Sequence, residues 1–237
     1  MSGKVDFSAF FFVKNKFDGT ADDLYIERHG GWLNINEQVI KRYNRISGIY
    51  GVMDRMIKKE WRLQLLSNVS GEVLEAGLGT GANLHYYPEA IQSLTGVDFS
   101  EGMLRHAKEK AAQETFPFPI KLMEEDIQEL PFADNSFDSV VATCVFCSVP
   151  DPVAGLKELQ RVCKPDGRIF MLEHMKSENK LIGAIMDMLN PATVRLWGAN
   201  INRETLKHIS HAGLKVEENK LLMGSIMRGL VAHPNKE

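Results

Sequence analysis

The sequence is poor in cysteine, in long apolar runs and in net charge. Its 237 residues include three cysteines, an odd number that cannot all pair, and a chain of this length needs no disulfide framework to build a core. The formal net charge is −3, so the chain lacks the basic footprint of a nucleic-acid-binding protein. We therefore expect neither a disulfide scaffold nor a nucleic-acid partner.

The most apolar stretch near the N-terminus spans only seven residues, 7–13. It is too short for a membrane span, and it carries no small-residue cleavage site of the kind that ends a signal peptide. We therefore expect a cytoplasmic protein. The length of the chain suits one large domain, or one domain with a lid.

Three glycines at alternate positions follow a short apolar segment that ends at Ala76. Gly77, Gly79 and Gly81 predict a tight turn that approaches a ligand closely, because glycine has no Cβ. The next helix should point its free N–H groups at the same ligand. Asp98, 21 positions after Gly77, follows the next apolar segment, where a carboxylate can accept hydrogen bonds from a ribose diol. The pattern indicates a nucleotide-type cofactor.

Short β-rich segments alternate with helical patterns from residue 72 onward. Helices are predicted at 100–115, capped by Ser100, and at 152–162. This alternation predicts a parallel sheet whose ligand lies at the carboxyl ends of the strands. Only a Gly-Ser turn separates the last two strands, which predicts a hairpin and one antiparallel strand. The strands are predicted at 72–76, 93–98, 120–124, 137–142, 168–173, 214–222 and 227–232.

Five motifs resemble, in order and spacing, those of the class I S-adenosylmethionine-dependent methyltransferases. They lie at residues 75–81, 96–104, 125–127, 136–138 and 161–167. The resemblance implies a Rossmann-like α/β fold with a seven-stranded, mostly parallel sheet and an antiparallel last strand. The resemblance covers about residues 40–235. We expect residues 1–66 to form an N-terminal helical lid or extension before a methyltransferase domain, residues 67–237. Residues 1–35 match no motif, and a lid, a dimer contact and a membrane edge are the open alternatives for them.

Three further segments are most similar to the bacterial phospholipid N-methyltransferases and the animal alkyl-thiol methyltransferases. They are residues 43–61, 144–150 and 172–174, while the start of the domain resembles the quinone C-methyltransferases. The implied function is methyl transfer to a small or lipophilic acceptor, either a phospholipid head-group amine or an alkyl thiol. A quinone-type C- or O-methyltransferase is the alternative.

The resemblance implies S-adenosylmethionine as cofactor and S-adenosylhomocysteine as product. The glycines would lie against the methionine part of the cofactor, with Glu75 supporting them, and Asp98 would hold the ribose. Phe99 and Met103 would contact the adenine, while Asp126 would accept from its amino group and the N–H of Ile127 would donate to its ring. The implied cofactor-binding residues are Tyr50, Glu75, Gly77, Gly79, Gly81, Asn83, Asp98, Phe99, Met103, Asp126, Ile127 and Thr143.

His174, just past the fifth predicted strand, is the candidate base that frees the lone pair of the acceptor. A hydrogen-bonded histidine at a strand end is the plainer alternative. Tyr43 is the second catalytic candidate, since it and Tyr50 could close over the cofactor, or they could be core residues of the lid. The resemblance places Cys147 where family members line the acceptor pocket, although a small apolar wall is the plainer interpretation. The segment before the sixth strand is expected to shape that pocket through Trp197, Asn200 and Asn202.

Two other interpretations of these motifs remain open. The glycine motif also fits the dinucleotide form, which keeps an NAD(P)-dependent oxidoreductase as a competing class, although Asp126, the hairpin and the turn at 164–167 favour a methyltransferase. A cofactor-binding module without turnover is the non-enzymatic alternative. The Cys-x-x-Cys at 144–147 lacks a second ligand pair, so no metal site is expected.

Residues 41–62 carry seven basic side chains and two acidic ones in a chain that is acidic overall. Apolar residues from Val39 to Trp61 recur at spacings of three and four, typical of one helical face with a break near Gly48 and Gly51. A basic amphipathic segment predicts a peripheral contact with a membrane surface. A solvated helix face over a core stripe is the plainer interpretation.

Overall fold

The structure, a computed structural model, describes residues 43–44 and 57–236, with Trp197 described by its backbone alone. Its seven strands are β1 (Glu72–Ala76), β2 (Ser93–Asp98), β3 (Ile120–Glu124), β4 (Phe137–Thr143), β5 (Cys163–His174), β6 (Lys215–Met223) and β7 (Met227–His233). They form one sheet in the order β3-β2-β1-β4-β5-β7-β6. The first five are parallel, and β7 is antiparallel to both β5 and β6. The predicted fold class, with its single antiparallel strand, is confirmed.

Five α-helices are described, together with a short 3-10 helix at Leu84–Tyr86. The side chain of Ser100 accepts from the N–H of Met103, and the carboxylate of Asp151 accepts from the N–H groups of Val153 and Ala154. These contacts satisfy N–H groups that have no partner within a helix, so both helices begin where the sequence places their caps. The α-helices are α1 (Lys59–Leu66), α2 (Glu101–Ala112), α3 (Pro152–Val162), α4 (Lys180–Trp197) and α5 (Thr205–His211).

Apolar side chains cover both faces of the sheet. On one face, Leu156 and Leu159 of α3 are fully buried in a cluster that includes Val140 of β4 and Ile169 of β5. The other cluster contains Leu104 and Ala107 of α2 and Leu66 of α1. Burial on both faces explains why the central strands are almost uniformly apolar, as expected for a parallel sheet.

The strand order reverses between β1 and β4, whose neighbours on either side are β2 and β5. The two connections leave opposite faces of the sheet at this point, which opens a crevice at the carboxyl ends of the strands. Glu75 lies near the carboxyl end of β1, Asp98 ends β2, Thr143 ends β4 and His174 ends β5. The topology therefore gathers these four side chains at one edge of the sheet.

Three local predictions differ from the structure. The expected turn at 164–167 belongs to β5, which begins at Cys163 and pairs with β4 across a register shift between Phe137 and Ser139. The glycine turn is followed by the 3-10 helix at Leu84–Tyr86 instead of an α-helix. Ile57 lies in a bend and α1 starts afresh at Lys59, so the apolar stripe is not continuous at its end.

Most of the expected lid, including Tyr50, lies outside the described residues. Within the described part of the chain, no helix combines the length and the apolar character needed to cross a bilayer.

Candidate functional site

A cavity of about 290 Å³ lies at the carboxyl ends of β1, β2, β4 and β5. Twelve of the fourteen residues predicted for the site line it, while Gly81 does not and Tyr50 lies outside the described residues. The twelve are Tyr43, Glu75, Gly77, Gly79, Asn83, Asp98, Phe99, Met103, Asp126, Ile127, Thr143 and His174.

The three glycines of the turn differ in what surrounds them, although each has a positive φ. A Cβ on Gly77 would lie 2.5 Å from a methyl group of Val145, and one on Gly81 would lie 2.8 Å from Leu84 and 3.3 Å from Ala107. A Cβ on Gly79 would meet no heavy atom within 4 Å, because this residue faces the open cavity. Gly81 therefore packs the turn against α2 and is not among the residues that line the cavity, while its contact with a cofactor stays a prediction.

The carboxylate of Asp98 is held by two backbone groups. Its Oδ2 accepts from the N–H of Gly79 at 2.9 Å, and its Oδ1 accepts from the N–H of Ser100 at 2.9 Å. Burial raises the pKa of Asp98 to about 6, although both N–H groups act in the opposite direction. The side chain is thus fixed at the cavity wall, with acceptor capacity left for a ligand.

Apolar side chains form the cavity wall next to this carboxylate. Met103 and Ile127 are buried, and the half-buried ring of Phe99 packs edge-on against Tyr43 with 5.4 Å between ring centroids. Asp126 lines the same region, and both of its carboxylate oxygens accept from the side-chain amide of Gln128. A flat, partly polar ring can be buried on such a wall.

Behind the glycine turn lies a buried polar network centred on Glu75. Its carboxylate accepts from the Asn83 amide at 2.7 Å and from the Tyr87 hydroxyl at 2.9 Å. The same amide group donates to Thr143, and the Asn83 oxygen accepts from the guanidinium of Arg62. A buried carboxylate in an apolar core is expected to carry such partners. The network fixes one end of the cavity.

Arg62 and Tyr87 belong to this network and were not among the predicted site residues. Arg62 is only 4% exposed and lines the cavity, so it is not available to the basic surface expected of residues 41–62. No spacing rule in the sequence separates Arg62 from the other basic residues of that segment. Its position depends on α1 packing against the sheet beside the 3-10 helix.

His174 and several residues of the segment 144–150 also line the cavity. His174 is half-buried, and burial lowers the pKa of its imidazole, so the ring is neutral at pH 7. Burial raises the pKa of the Cys147 thiol to about 12, which keeps the sulfur protonated at neutral pH. The structure therefore offers one neutral proton acceptor beside an uncharged wall.

Residues behind this wall hold it in place. Glu173 is fully buried, and its Oε1 accepts from the N–H of Val145 at 3.0 Å, while burial raises the pKa of this carboxyl to about 8. Asn200 donates from both its backbone and side-chain nitrogens to the carbonyl of Cys147, at 2.8 and 3.1 Å. The expected contribution of Asn200 to the pocket is thus indirect.

One further expectation about the acceptor pocket differs from the structure. The Asn202 side chain donates to Asp187 at 2.9 Å on the surface and does not line the cavity. Tyr43 is buried and lines the cavity, and burial raises the pKa of its hydroxyl well above the ordinary value, so the hydroxyl stays protonated near neutral pH. Among the described residues, no group of three or more His, Cys, Asp or Glu side chains is arranged to hold a metal ion.

Comparison with known sequences shows that residues 74–171 match the family model of a methyltransferase domain. Phosphatidylethanolamine N-methyltransferase from Cereibacter sphaeroides is 38% identical over 116 residues, which cover 48% of this chain and 56% of that protein. Demethylmenaquinone methyltransferase from Staphylococcus aureus is 35% identical over 144 residues, covering 58% of this chain and 57% of that protein. The chain thus aligns with little more than half the length of these relatives.

Solved structures with the same fold are also found. A chain from the complex of the Haloferax volcanii Trm112 methyltransferase activator with a methyltransferase superposes with a TM-score of 0.66 at 19% identity, covering 84% of this chain and 98% of that one. A SAM-dependent methyltransferase from Thermotoga maritima gives a TM-score of 0.60 at 19% identity, covering 82% and 99%. At such identities the likeness shows the fold, and the family resemblance inferred from the motifs is confirmed by the sequence match.

Proposed function

We propose that this chain, whose residues 74–171 match the family model of a methyltransferase domain, transfers a methyl group from S-adenosylmethionine to a small or lipophilic acceptor. One observation carries the proposal: the open side of Gly79 and the carboxylate of Asp98 share a cavity with the imidazole of His174. Holding two reactants in one cavity is the main requirement of a transfer reaction. We further propose residues 67–237 as the catalytic domain and residues 1–66 as an N-terminal lid or extension.

The cavity fits the cofactor on three grounds. No heavy atom lies within 4 Å of the position that a Cβ on Gly79 would take, so a ligand can approach the backbone there. Asp98 presents a fixed carboxylate. An apolar wall is formed by Phe99, Met103 and Ile127. A nucleoside with a ribose diol and a flat base requires these three features side by side.

In the proposed function, each group of residues contacts a different part of the cofactor. Asp98 would accept from the ribose hydroxyls, the apolar wall would cover the adenine, and Arg62 would pair with the carboxylate of the amino-acid end. When bound, S-adenosylmethionine supplies an electrophilic methyl group on a sulfonium. The protein then has to align the acceptor and keep water out.

Arg62→Gln is expected to weaken the binding of S-adenosylhomocysteine by about 10- to 100-fold, because one charge-assisted contact with a carboxylate is lost. Methylthioadenosine, which lacks that carboxylate, should bind the variant and the wild type equally. Isothermal titration with both compounds tests this, with Arg105→Gln on the exposed side of α2 as the matched control. Equal losses for the two compounds would mean that Arg62 acts on the fold rather than on the carboxylate.

The same titrations separate the proposed function from the oxidoreductase alternative. Wild-type protein should bind S-adenosylhomocysteine and give no heat with NAD⁺ or NADP⁺. Binding of a nicotinamide dinucleotide in place of S-adenosylhomocysteine would overturn the proposal.

We propose His174 as the base that takes the proton from the acceptor. Its imidazole lies at the end of β5 and lines the cavity, and its lowered pKa keeps it neutral and able to accept a proton at pH 7. His174→Gln is expected to lower kcat about 100-fold or more, and to remove the acidic limb of the pH–rate profile. A variant that loses rate but keeps the same acidic limb would assign His174 a positioning role only.

Two acceptor classes are supported by the named relatives, a phospholipid amine and a quinone precursor. We favour the phospholipid amine or an alkyl thiol, because a nitrogen or sulfur acceptor needs only a single proton acceptor such as His174 to free its lone pair.

A further inference from the structure

A second cavity, of about 450 Å³, lies between α4, the start of α5, the end of β5 and the start of β7. One side of α4 lines it through residues 180, 183, 184 and 187, which are three, four and seven positions apart. The rest of its lining comes from residues 175–178, residues 203–207 and Arg228. A volume of this size suits a small organic ligand, and the proposed function gives the second cavity no role.

The second cavity is separate from the one that Asp98 and His174 line, here called the cofactor cavity. Successive side chains of a strand point to opposite faces, and on β7 Met227 lines the cofactor cavity while Arg228 lines the second cavity. Where β5 ends, His174 lines the cofactor cavity and Met175 the second one. No described residue lines both. The two cavities therefore lie on opposite sides of these strands.

The lining of the second cavity is more basic than acidic, with five basic residues and three acidic ones. Each of the three acids is held by a basic residue of the same lining: Asp187 pairs with Lys176, Glu178 with Arg228 and Glu204 with Lys207. Lys180 and Arg203 are the two cations left over, and neither has an ion pair within the described part of the chain. The second cavity thus has an excess of two positive charges.

Arg203 is partly buried without a counter-ion. Among the described residues its guanidinium makes one hydrogen bond, from Nη2 to the carbonyl of Val149 at 2.8 Å, and its Nε is buried with no partner. Burial lowers the pKa of this guanidinium, and no carboxylate acts in the opposite direction. A buried charge that lacks a partner is costly, so an anion in the second cavity would offset this cost.

Lys180 adds a second cation from a different element. It is exposed and begins α4, a helix of 18 residues whose N-terminal end carries a partial positive charge. The apolar side chains of Met175 and Leu206 belong to the same lining. The second cavity therefore combines two free cations with apolar surface, as a site for an organic anion requires.

We propose that the second cavity binds a small organic ligand that carries a phosphate group, with Arg203 and Lys180 holding the phosphate. A phosphate monoester has a charge of about −1.5 to −2 at neutral pH, which matches two cations without ion pairs. A guanidinium offers phosphate oxygens a planar pair of donors, and a lysine ammonium adds a point charge. Met175 and Leu206 would contact the organic part of the ligand.

The test is isothermal titration of the full chain with glycerol 3-phosphate, inorganic phosphate, succinate and glycerol. We expect glycerol 3-phosphate to bind most tightly, inorganic phosphate more weakly because it leaves Met175 and Leu206 uncovered, and glycerol not at all. No binding of glycerol 3-phosphate would overturn the inference. Inorganic phosphate binding as tightly would overturn the organic ligand, and succinate binding more tightly would overturn the phosphate group.

Two variants locate the site. Lys180→Gln and Arg203→Gln should each weaken the binding of glycerol 3-phosphate by about tenfold or more, because each removes one charge-assisted contact. Lys157→Gln is the matched control, since Lys157 is exposed on α3 and lines neither cavity. Lys180 is also exposed, so its variant should fold normally and decides the test if a thermal melt shows that Arg203→Gln does not fold. Unchanged binding in the folded variants would overturn the inference.

Competition with the cofactor product separates the two cavities. Saturating S-adenosylhomocysteine should leave the affinity for glycerol 3-phosphate unchanged, because no described residue lines both cavities. Competition between the two compounds would place the phosphate in the cofactor cavity and overturn the inference. If the chain bound glycerol 3-phosphate but not S-adenosylhomocysteine, the proposed function would fail while this inference stood.

Discussion

Asp98→Ala is expected to weaken the binding of S-adenosylhomocysteine by at least about 100-fold. The carboxylate is fixed by Gly79 and Ser100 and lines the cavity, so it can accept two ribose hydroxyls without reorganising. A hydrogen bond to a charged group contributes about 1.5–3 kcal/mol, and every 1.4 kcal/mol is a tenfold change in affinity. Titration calorimetry measures the loss directly, with Asp166→Ala, an exposed acid at the other edge of the sheet, as the control.

The same carboxylate makes binding depend on pH. Burial raises the pKa of Asp98 to about 6, and ribose hydroxyls donate best to the ionised form. Affinity should therefore be constant above pH 7 and fall as the pH drops below 6. Because the folded-state pKa is raised, the folded chain binds this proton more tightly than the unfolded chain, so the contribution of Asp98 to the free energy of unfolding should decrease as the pH rises from 4 to 6. If the Asp98→Ala variant bound S-adenosylhomocysteine as tightly as wild type at pH 7, Asp98 would not belong to the binding site.

Gly77→Ala is expected to destabilise the fold by about 2–5 kcal/mol. Its φ of 71° is costly for any residue with a Cβ, and that Cβ would lie 2.5 Å from a methyl group of Val145. Each kcal/mol lowers the melting temperature of a domain of this size by about 2–4 °C, so the shift should be plain in a thermal melt.

Gly79→Ala is the matched partner of this variant, since its φ is 61° and nothing lies within 4 Å of the added Cβ. The variant should be destabilised by only about 1–2 kcal/mol, the cost of a left-handed backbone conformation for a residue with a Cβ. Its main effect should be weaker binding of S-adenosylhomocysteine. If the two variants lost stability equally and Gly79→Ala bound normally, the open side of the turn would not be where the cofactor lies.

Most of the sheet was predictable because its strands are short apolar segments bounded by turns. The strands at 72–76, 93–98 and 120–124 have the predicted bounds, and the helix at 152–162 begins at its proline. Errors arose where tertiary contacts override local signals. Residues 164–167 look like a turn, but they extend β5 because Gly167 packs against the backbone of Asp138.

The site was predictable where a spacing rule reflects ligand chemistry, as for Gly79 and Asp98. It was not predictable where a residue reaches the cavity through the packing of another element. Arg62 lies in a segment of many basic residues, and only the packing of α1 against the sheet turns this one inward. Asn202 shows the reverse, since the end of α4 carries it to a surface contact with Asp187.

The most direct test of the account is transfer of labelled methyl from S-adenosylmethionine by the full chain. Three acceptor pools run in parallel would be phosphatidylethanolamine vesicles, a lipophilic thiol and a reduced quinone precursor, with Asp98→Ala as the blank. We predict label in the vesicle lipid or the thiol, lost in the Asp98→Ala variant. Label in the quinone precursor alone would change the acceptor class, and no label in any pool despite tight binding of S-adenosylhomocysteine would contradict the proposed activity.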